Sequence, residues 1–323
     1  MDKELSIATY VGSWPQNIGN AFFDLGAEAL LRRAFPSARI TRTGGAVHWM
    51  FNNSRIGQRN PVRTYLGRYF QSKFQRNGNS LELGEIIKTD LLVFAGMSMC
   101  QEFAQNNGPT LLAASRNGVP ILGVGTGASR YSKDDVSAFV DLCLKIPKLS
   151  LITRDEPSYQ MVKDYLPNVH RGIDCAFFLP WYFKPLSLIE SDFVMSTFDF
   201  RSEPKWVTEM NPIRAHHDLW GHLPKRYVNR EHTVISDIPE DYLNLYANCR
   251  VTYSDRVHAC VAALSYGNRA QLFAETPRSA LFEQVGLSEI GNYPVALDLM
   301  NLEILRLNQV VLVRNVQQEL TDK

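Results

Sequence analysis

Short apolar runs alternate along this chain with longer segments of helical periodicity. The runs at residues 89–94 (TDLLVF), 119–124 (VPILGV) and 149–153 (LSLIT) are almost continuously apolar, and each is followed by a glycine-rich or polar turn. Runs of this kind are typical of parallel strands that helices cover on both faces. The alternation therefore predicts an α/β fold built on parallel sheets.

The alternation continues through the second half of the chain, which favours two domains over one. A length of 323 residues agrees with two domains of about 150 residues each. We expect an N-terminal α/β domain over residues 1–180, with an insertion near 44–80 that contains a helix at 62–74, and a C-terminal α/β domain over 181–323. The predicted architecture is two Rossmann-like parallel-sheet domains that face each other across a cleft.

Composition excludes several classes of protein. The chain has 34 basic and 33 acidic residues, a formal net charge of +1, so no basic excess indicates a nucleic-acid-binding protein. Its five cysteines are scattered without a CxxC pair, which disfavours a disulfide framework and a structural zinc site. The first residues lack a signal-peptide pattern, and no apolar stretch of about 20 residues could span a bilayer. We expect a protein that works in the cytoplasm.

The turns that follow the predicted strands are the places to look for chemistry, because ligands of parallel sheets bind beyond the carboxyl ends of the strands. This rule selects the turns NIGN at 17–20, AGMSM at 95–99, GVGTGAS at 123–129, TRDEPS at 153–158 and SDRVHA at 254–259. In this order and spacing, these segments resemble the polysaccharide pyruvyl transferase family. The segments GIDCAFFL at 172–179 and ETPRSALFEQVGL at 275–287 extend the resemblance, with Arg278 where the family usually has a lysine.

The resemblance implies a fold similar to the glycosyltransferase-B architecture and a defined reaction. The pyruvyl group of phosphoenolpyruvate would be transferred to a saccharide as a cyclic ketal, in the synthesis of a surface polysaccharide. Phosphoenolpyruvate would be the donor substrate, with no metal and no other cofactor. The acceptor would be a saccharide or a lipid-linked or nucleotide-linked sugar, and a peripheral association with the membrane is compatible with it.

The residues suit this reaction on chemical grounds. Phosphoenolpyruvate carries a carboxylate and a phosphate, and arginine binds both groups in bidentate fashion. We therefore expect Arg154, Arg256 and Arg278 to bind the donor. Helix N-termini near Gly127 and Arg256 would add backbone N–H donors. Ketal formation also needs proton transfer near neutral pH, which histidine performs well, so His258 is the candidate catalytic residue. The resemblance adds Asn17, Gly19, Gly125 and Asp174 to the substrate-binding set.

Structural interpretations of the same residues stay open. Arg154 with Asp155 could form a helix cap, Asp174 could be a turn or cap residue, and His258 could be a buried helix histidine. The glycine run at 123–127 could be a tight turn, and no acidic residue follows it in the context that NAD binding requires. The segment at 55–74, rich in arginine and aromatic residues, could bind an acidic glycan or form a solvated helix.

A second group of histidines invites a metal interpretation, which the spacing does not favour. His216, His217, Asp218 and His222 do not match the HExxH pattern of zinc-binding helices. We interpret this segment as part of a polar surface helix within residues 204–222.

Two other functions remain open at this point. Asn20 stands where the family has an aspartate, and the family's glycine triplet is reduced here to Ala95 and Gly96, followed by Met97. These departures leave room for a nucleotide-sugar glycosyltransferase of the same architecture. They also leave room for a non-catalytic relative that binds an anion or a partner.

Overall fold

The computed structural model describes residues 4–11, 17–43, 88–128, 132–187, 192–217 and 232–322. Over these residues the chain forms two β-sheets with helices packed against them. All strand pairs in both sheets are parallel. The predicted fold class, two parallel-sheet α/β domains, is thereby confirmed.

The first sheet has six strands. They are β1 (Ser6–Tyr10), β2 (Arg39–Thr43), β3 (Leu91–Ala95), β4 (Ile121–Thr126), β5 (Leu149–Thr153) and β6 (Val169–Arg171). The spatial order is β2-β1-β3-β4-β5-β6. The order reverses between β1 and β3, so the carboxyl ends of these two strands flank a crevice of the kind in which parallel sheets bind ligands.

The helices of the first half follow the strands in sequence. They are α1 (Gly19–Ala34), α2 (Gln101–Arg116), α3 (Lys133–Cys143) and α4 (Glu156–Val162), then a 3₁₀ helix (Cys175–Phe178) that leads into the short α5 (Leu179–Tyr182). Every residue of β4 and β5 is buried. This agrees with their continuous apolar sequence, because a central parallel strand has no solvent-facing side.

The second sheet has five strands and its own reversal point. The strands are β7 (Val194–Thr197), β8 (Ile213–Ala215), β9 (Thr233–Val234), β10 (Val251–Ser254) and β11 (Arg269–Leu272). Their order is β11-β10-β7-β8-β9, and it reverses between β7 and β10. The helices are α6 (Lys205–Glu209), α7 (Pro239–Asn248), α8 (Val257–Ser265), α9 (Ala280–Glu283) and α10 (Leu299–Thr321), with 3₁₀ turns at Pro277–Ser279 and Ser288–Gly291.

One hydrophobic core continues from one domain into the other. Phe22 of α1, Phe177 of the first 3₁₀ helix and Tyr246 of α7 belong to the same buried cluster. The two sheets lie on either side of the predicted boundary at residue 180, but α10 returns to pack against α1 and β5 of the first domain. Arg314 of α10 donates from Nε to the carbonyl of Ala34 at 2.7 Å. The end of the chain thus holds the two halves together.

Two predicted elements differ from the structure for identifiable reasons. The sequence predicts a helix only from residue 109, where Pro109 resembles a first helical residue, but α2 begins at Gln101. The thiol of Cys100 caps that start by accepting the N–H of Phe103 at 3.4 Å, and Pro109 lies inside the helix. The segment predicted as helical in part over 204–222 contains the helix α6. Its described residues also contain β8, whose three residues are too few to show a strand period.

Other predictions fall on residues that the structure leaves out. The insertion near 44–80, its helix at 62–74 and the residues Asp218 and His222 all lie outside the described residues. Among the described helices, none has the length and apolar content that crossing a bilayer requires.

The close packing of α1 against the first 3₁₀ helix leads to a prediction about the stability of two glycine variants. A β-carbon at Gly26 would overlap the carbonyl of Cys175, whereas one at Gly108 of α2 would make an ordinary contact with Leu142 at 3.4 Å. Both glycines are helical, so helix propensity favours alanine equally at the two sites. We expect Gly26→Ala to lower the free energy of unfolding by about 1–3 kcal/mol. Gly108→Ala should leave it unchanged or raise it by up to about 1 kcal/mol. Urea unfolding of both variants measures this, and equal stabilities would contradict the packing described.

Candidate functional site

The candidate site lies where strand ends of the two sheets meet. Arg154 follows β5 and Asp174 follows β6, while His258 lies in the first turn of α8, just after β10. At the same junction, the N–H of Ile18, before α1, donates to the carbonyl of His217, after β8, at 2.9 Å. The carboxyl edges of both sheets therefore face each other, as the cleft architecture requires.

Asp174 connects the two domains within this site. Its carboxylate is fully buried, and one oxygen, Oδ2, lies 3.4 Å from Nη1 of Arg154 and 3.5 Å from Nε2 of His258. The other oxygen accepts the N–H of Ala176 at 2.8 Å. Burial alone would raise the pKa of Asp174, but the nearby His258 and Arg154 and the Ala176 hydrogen bond outweigh it and hold the pKa below its ordinary value. Asp174 is therefore ionised, and its carboxylate has no exposed surface for a substrate.

A backbone hydrogen bond and a neighbouring glycine determine the position of Arg154. Its N–H donates to the carbonyl of Thr126 at 3.0 Å, and its side chain lies on Gly127, where any β-carbon would overlap the guanidinium. Gly127 thus makes room for Arg154. The next residue, Asp155, caps α4 by accepting the N–H of Ser158 at 2.7 Å, so the predicted cap also exists.

The contacts of Arg154 are loose for a buried arginine. Its Nε lies 3.5 Å from Oδ2 of Asp155, and its Nη1 lies 3.4 Å from Asp174. Charge-assisted pairs usually approach to about 2.7–2.9 Å. Nε has no hydrogen-bond acceptor among the described residues. The guanidinium is therefore held in place while its Nε–H lacks an acceptor among the described residues. An anionic ligand could accept a hydrogen bond from it.

His258 is held between Asp174 and an aromatic ring. Its ring packs against Phe23 of α1, with 5.3 Å between the ring centroids, and its side chain keeps 12% of its surface exposed. A β-carbon at Gly19 would lie 3.5 Å from Cβ of His258 and 3.2 Å from Nδ1 of His217. Gly19 thus lets the start of α1 approach both histidines closely.

A second polar cluster lies at the reversal point of the second sheet, around Asp199. Its Oδ2 accepts a hydrogen bond from Nε of Arg256 at 2.6 Å and another from the N–H of His217 at 3.1 Å. Its Oδ1 lies 3.0 Å from Nδ1 of His216. The guanidinium of Arg256 also stacks over Phe200, 4.0 Å from the ring centroid. In contrast to Arg154, Arg256 is thus held by a short ion pair.

Burial sets the charge states in this cluster. Burial would raise the pKa of Asp199, but the contacts with His216 and Arg256 lower it to about 2. Burial lowers the pKa of His217 to about 3, so its imidazole is neutral at physiological pH. Its Nε2 lies 2.7 Å from the hydroxyl of Tyr246, a polar partner for a ring that is otherwise enclosed.

Three of the backbone amides expected to bind an anion already have partners. The N–H of Gly127 donates to the carbonyl of Met97 at 3.0 Å, and that of Ala128 donates to the hydroxyl of Ser158 at 3.1 Å. The N–H of Arg256 donates to Oγ of Ser254 at 2.8 Å. These three amides are therefore not available to an anion, whereas Ser129 lies outside the described residues.

Several predicted site residues shape the backbone around the site. The side chain of Asn17 accepts the N–H of Gly19 at 3.1 Å, which forms the turn before α1. Gly125 has a φ of +64°, and a β-carbon there would meet Sγ of Cys175 at 3.1 Å. Arg278 is exposed in the 3₁₀ turn before α9, and α9 packs against α4 of the first domain.

The histidine pair does not lie on a surface helix, so that prediction is wrong. His216 and His217 are buried directly after β8, because this strand brings them to the carboxyl edge of the sheet. Asp199 is absent from the predicted site residues, although it stands two residues after β7, where the strand-end rule selects residues. No group of three or more metal-ligating side chains occurs in the part of the chain that the structure describes.

Comparison with models of protein families gives a match over most of the chain. The sequence model of the polysaccharide pyruvyl transferase family matches residues 17–268. This range includes every candidate site residue except Arg278. A comparison with curated protein sequences finds no match.

Solved structures with two such domains resemble the chain in fold. A putative UDP-N-acetylglucosamine 2-epimerase from Listeria monocytogenes has a TM-score of 0.54 at 11% identity, covering 98% of this chain and 90% of its own. MnaA of S. aureus, solved with UDP, has a TM-score of 0.51 at 14% identity, covering 99% and 88%. The UDP-GlcNAc 2-epimerase from Methanocaldococcus jannaschii has a TM-score of 0.50 at 12% identity, covering 95% and 92%. At these identities the likeness establishes the glycosyltransferase-B-like fold alone.

Because His217 is buried and neutral, the free energy of unfolding should depend on pH. An unfolded histidine binds a proton below its ordinary pKa of 6.5, but folded His217 does so only near 3. Between these values the unfolded state binds one more proton, so stability falls as pH falls, by about 1.4 kcal/mol per pH unit. Asp199 adds its own loss only below about pH 4, near the ordinary carboxyl pKa.

The variant His217→Gln keeps a polar side chain and cannot titrate. Urea unfolding between pH 6 and pH 4.5 should therefore show a stability slope smaller than wild type by about 1.4 kcal/mol per pH unit. Equal slopes in the two proteins would mean that His217 is protonated in the folded state.

Proposed function

The chain belongs to the polysaccharide pyruvyl transferase family, and on that premise we propose that it transfers the pyruvyl group of phosphoenolpyruvate to a saccharide and releases phosphate. The observation that carries the proposal is the shared contact at Asp174. Arg154 of the first domain and His258 of the second approach the same carboxylate oxygen, at 3.4 and 3.5 Å. An anion-binding group and a proton-transfer group thus lie together at the domain junction.

Arg154 is the main donor-binding residue in this proposal. Its contacts with Asp155 and Asp174 are 3.4–3.5 Å long, and its Nε has no acceptor among the described residues. A carboxylate or phosphate could therefore form a shorter bidentate pair than the described residues supply. Arg256 contributes positive charge from a fixed position, because its Nε is bound to Asp199 at 2.6 Å.

The reaction requires balanced proton transfers, for which His258 is placed. The methylene carbon of phosphoenolpyruvate gains a proton and becomes a methyl group, while a sugar hydroxyl loses its proton and bonds to C2. The bond between C2 and the phosphate oxygen then breaks, a second hydroxyl bonds to C2, and its proton leaves with the phosphate. Protonated His258 can supply the first proton and, once neutral, accept one from a hydroxyl.

Asp174 supports this cycle through position. Its buried carboxylate lies 3.5 Å from Nε2 of His258 and fixes the ring orientation. Its complete burial leaves it no direct contact with substrate, so in this proposal Asp174 is a positioning residue. The arginines neutralise the donor, and the reaction uses no metal and no other cofactor.

One assay separates this function from its alternatives. The protein is incubated with phosphoenolpyruvate and candidate diol-bearing sugars or lipid-linked sugars, and released phosphate and the ketal product are measured. Phosphate release together with ketal formation supports the proposal. Release of a nucleotide from nucleotide sugars would indicate a glycosyltransferase instead. Binding of phosphoenolpyruvate without turnover on any acceptor would indicate a non-catalytic relative.

Donor binding should depend strongly on Arg154. We expect Arg154→Met to weaken phosphoenolpyruvate binding by about 2–5 kcal/mol, because a buried charge pair loses one partner. Isothermal titration calorimetry measures the affinity. Arg32→Met is the matched control, because Arg32 lies in the last turn of α1 and pairs there with Glu28. If the Arg154 variant binds as tightly as this control, the donor site lies elsewhere.

Catalysis should depend on His258 more than binding does. His258→Asn keeps a polar side chain but cannot exchange protons near neutral pH. Its turnover should fall by roughly 10²–10⁴, the usual contribution of a positioned acid or base. Its affinity for phosphoenolpyruvate should stay within a few-fold of wild type, as calorimetry would show. Near-normal turnover in a folded variant would leave His258 with a structural role.

A further inference from the structure

The last helix of the chain contacts the backbone on both sides of Asp174. On one side, Gln309 of α10 accepts the N–H of Ile173 through Oε1 at 2.7 Å and donates from Nε2 to the carbonyl of Ile173 at 3.3 Å. Ile173 immediately precedes Asp174. The amide of Gln309 thus satisfies both backbone groups of this residue, as a neighbouring strand would.

On the other side, Arg306 of α10 holds Phe177. Its Nε donates to the carbonyl of Phe177 at 2.8 Å, and its Nη2 donates to the same oxygen. A longer contact of 3.5 Å joins Nη2 to the carbonyl of Ser265 in α8, the helix that begins next to His258. Arg306 and Gln309 are both almost completely buried. Nη1 of Arg306 pairs with Glu303 at 3.2 Å, and the other contacts named here are directed at the backbone.

The segment between these two contacts has little room to move. A β-carbon at Gly172 would approach Oε1 of Gln309 to 2.7 Å, and one at Gly26 would overlap the carbonyl of Cys175. The hydroxyl oxygen of Ser265 lies 3.3 Å from the carbonyl oxygen of Ala176. Helices α1, α8 and α10 therefore enclose the segment 172–177 on several sides. A shift of this backbone would move the Asp174 carboxylate, because Asp174 also depends on the N–H of Ala176.

We propose that α10 sets the position of the Asp174 carboxylate, with Gln309 and Arg306 as positioning residues for Arg154 and His258. The catalytic consequence rests on the proposed function. The match to the family sequence model ends at residue 268, whereas α10 spans Leu299–Thr321. The control that α10 exerts is therefore supplied by a part of the chain outside the family match.

The variant Gln309→Met tests this, with Arg314→Met as the matched control. Both remove a polar side chain of α10 that binds the first domain, but Arg314 binds the carbonyls of Ala34 and Arg33, far along α1 from Asp174. Because Asp174 contacts both the donor-binding arginine and the histidine, misplacing it should raise the KM for phosphoenolpyruvate and lower kcat together. We expect roughly 10- to 100-fold loss in kcat/KM, the effect of about 1 Å of misplacement. A loss of stability alone would reduce the active fraction and leave KM unchanged.

A second readout does not need activity. In protein labelled with ¹⁵N-histidine, the ring resonances of His258 are assigned by their loss in His258→Asn. Gln309→Met should shift or broaden them, and Arg314→Met should leave them in place. If wild type shows no pyruvyl transfer, the proposed function fails, but the spectra still test the positioning.

The outcomes are distinct. Changed His258 resonances in Gln309→Met together with an unchanged control support the proposal. Unchanged resonances and unchanged KM in a folded Gln309→Met protein overturn it. Should Gln309→Met fail to fold, Arg306→Met replaces it, because methionine fills a similar volume but donates nothing to the carbonyl of Phe177. In that variant, resonances and KM identical to wild type would likewise overturn the proposal.

Discussion

Asp174 lies buried between two domains, and a carboxylate there is stable only if its charge is matched by neighbouring groups. Here the partners come from different sheets, since Arg154 belongs to the first domain and His258 to the second. The local charge balance therefore exists only when the domains are docked. The continuous core through Phe22 and Tyr246 supplies the apolar contact that keeps them docked.

The two arginines of the junction differ in how they are held, and this difference organises the site. Arg256 makes a short ion pair with Asp199 and stacks on Phe200, so residues of the second domain fix its position. The guanidinium of Arg154 makes long ion pairs with the described residues Asp155 and Asp174, and it lies on Gly127. An anionic donor substrate would therefore bind more favourably to Arg154 than to Arg256, because Arg154 still has strong hydrogen bonds to form.

Local sequence predicts structure well where one strand contains the whole pattern that identifies it. The apolar runs of β3, β4 and β5 are readable because buried parallel strands need no alternation. The turns after such strands contain Arg154 and His258, so the strand-end rule selects both residues from local sequence. The rule fails at β8, because three residues show no period, and His216 and His217 consequently resemble part of a surface helix.

The sequence by itself determined the α/β class, the family and the turns that carry the candidate residues, because these depend on local periodicity and on motif order along the chain. Only the tertiary structure decided which residues meet. Asp174 pairs with Arg154 twenty positions away and with His258 in the other domain, and Gln309 reaches Ile173 across 136 positions. Such contacts depend on how the sheets dock and where the last helix returns. Those features depend on the total apolar surface that the whole chain buries, and no short stretch of sequence contains that information.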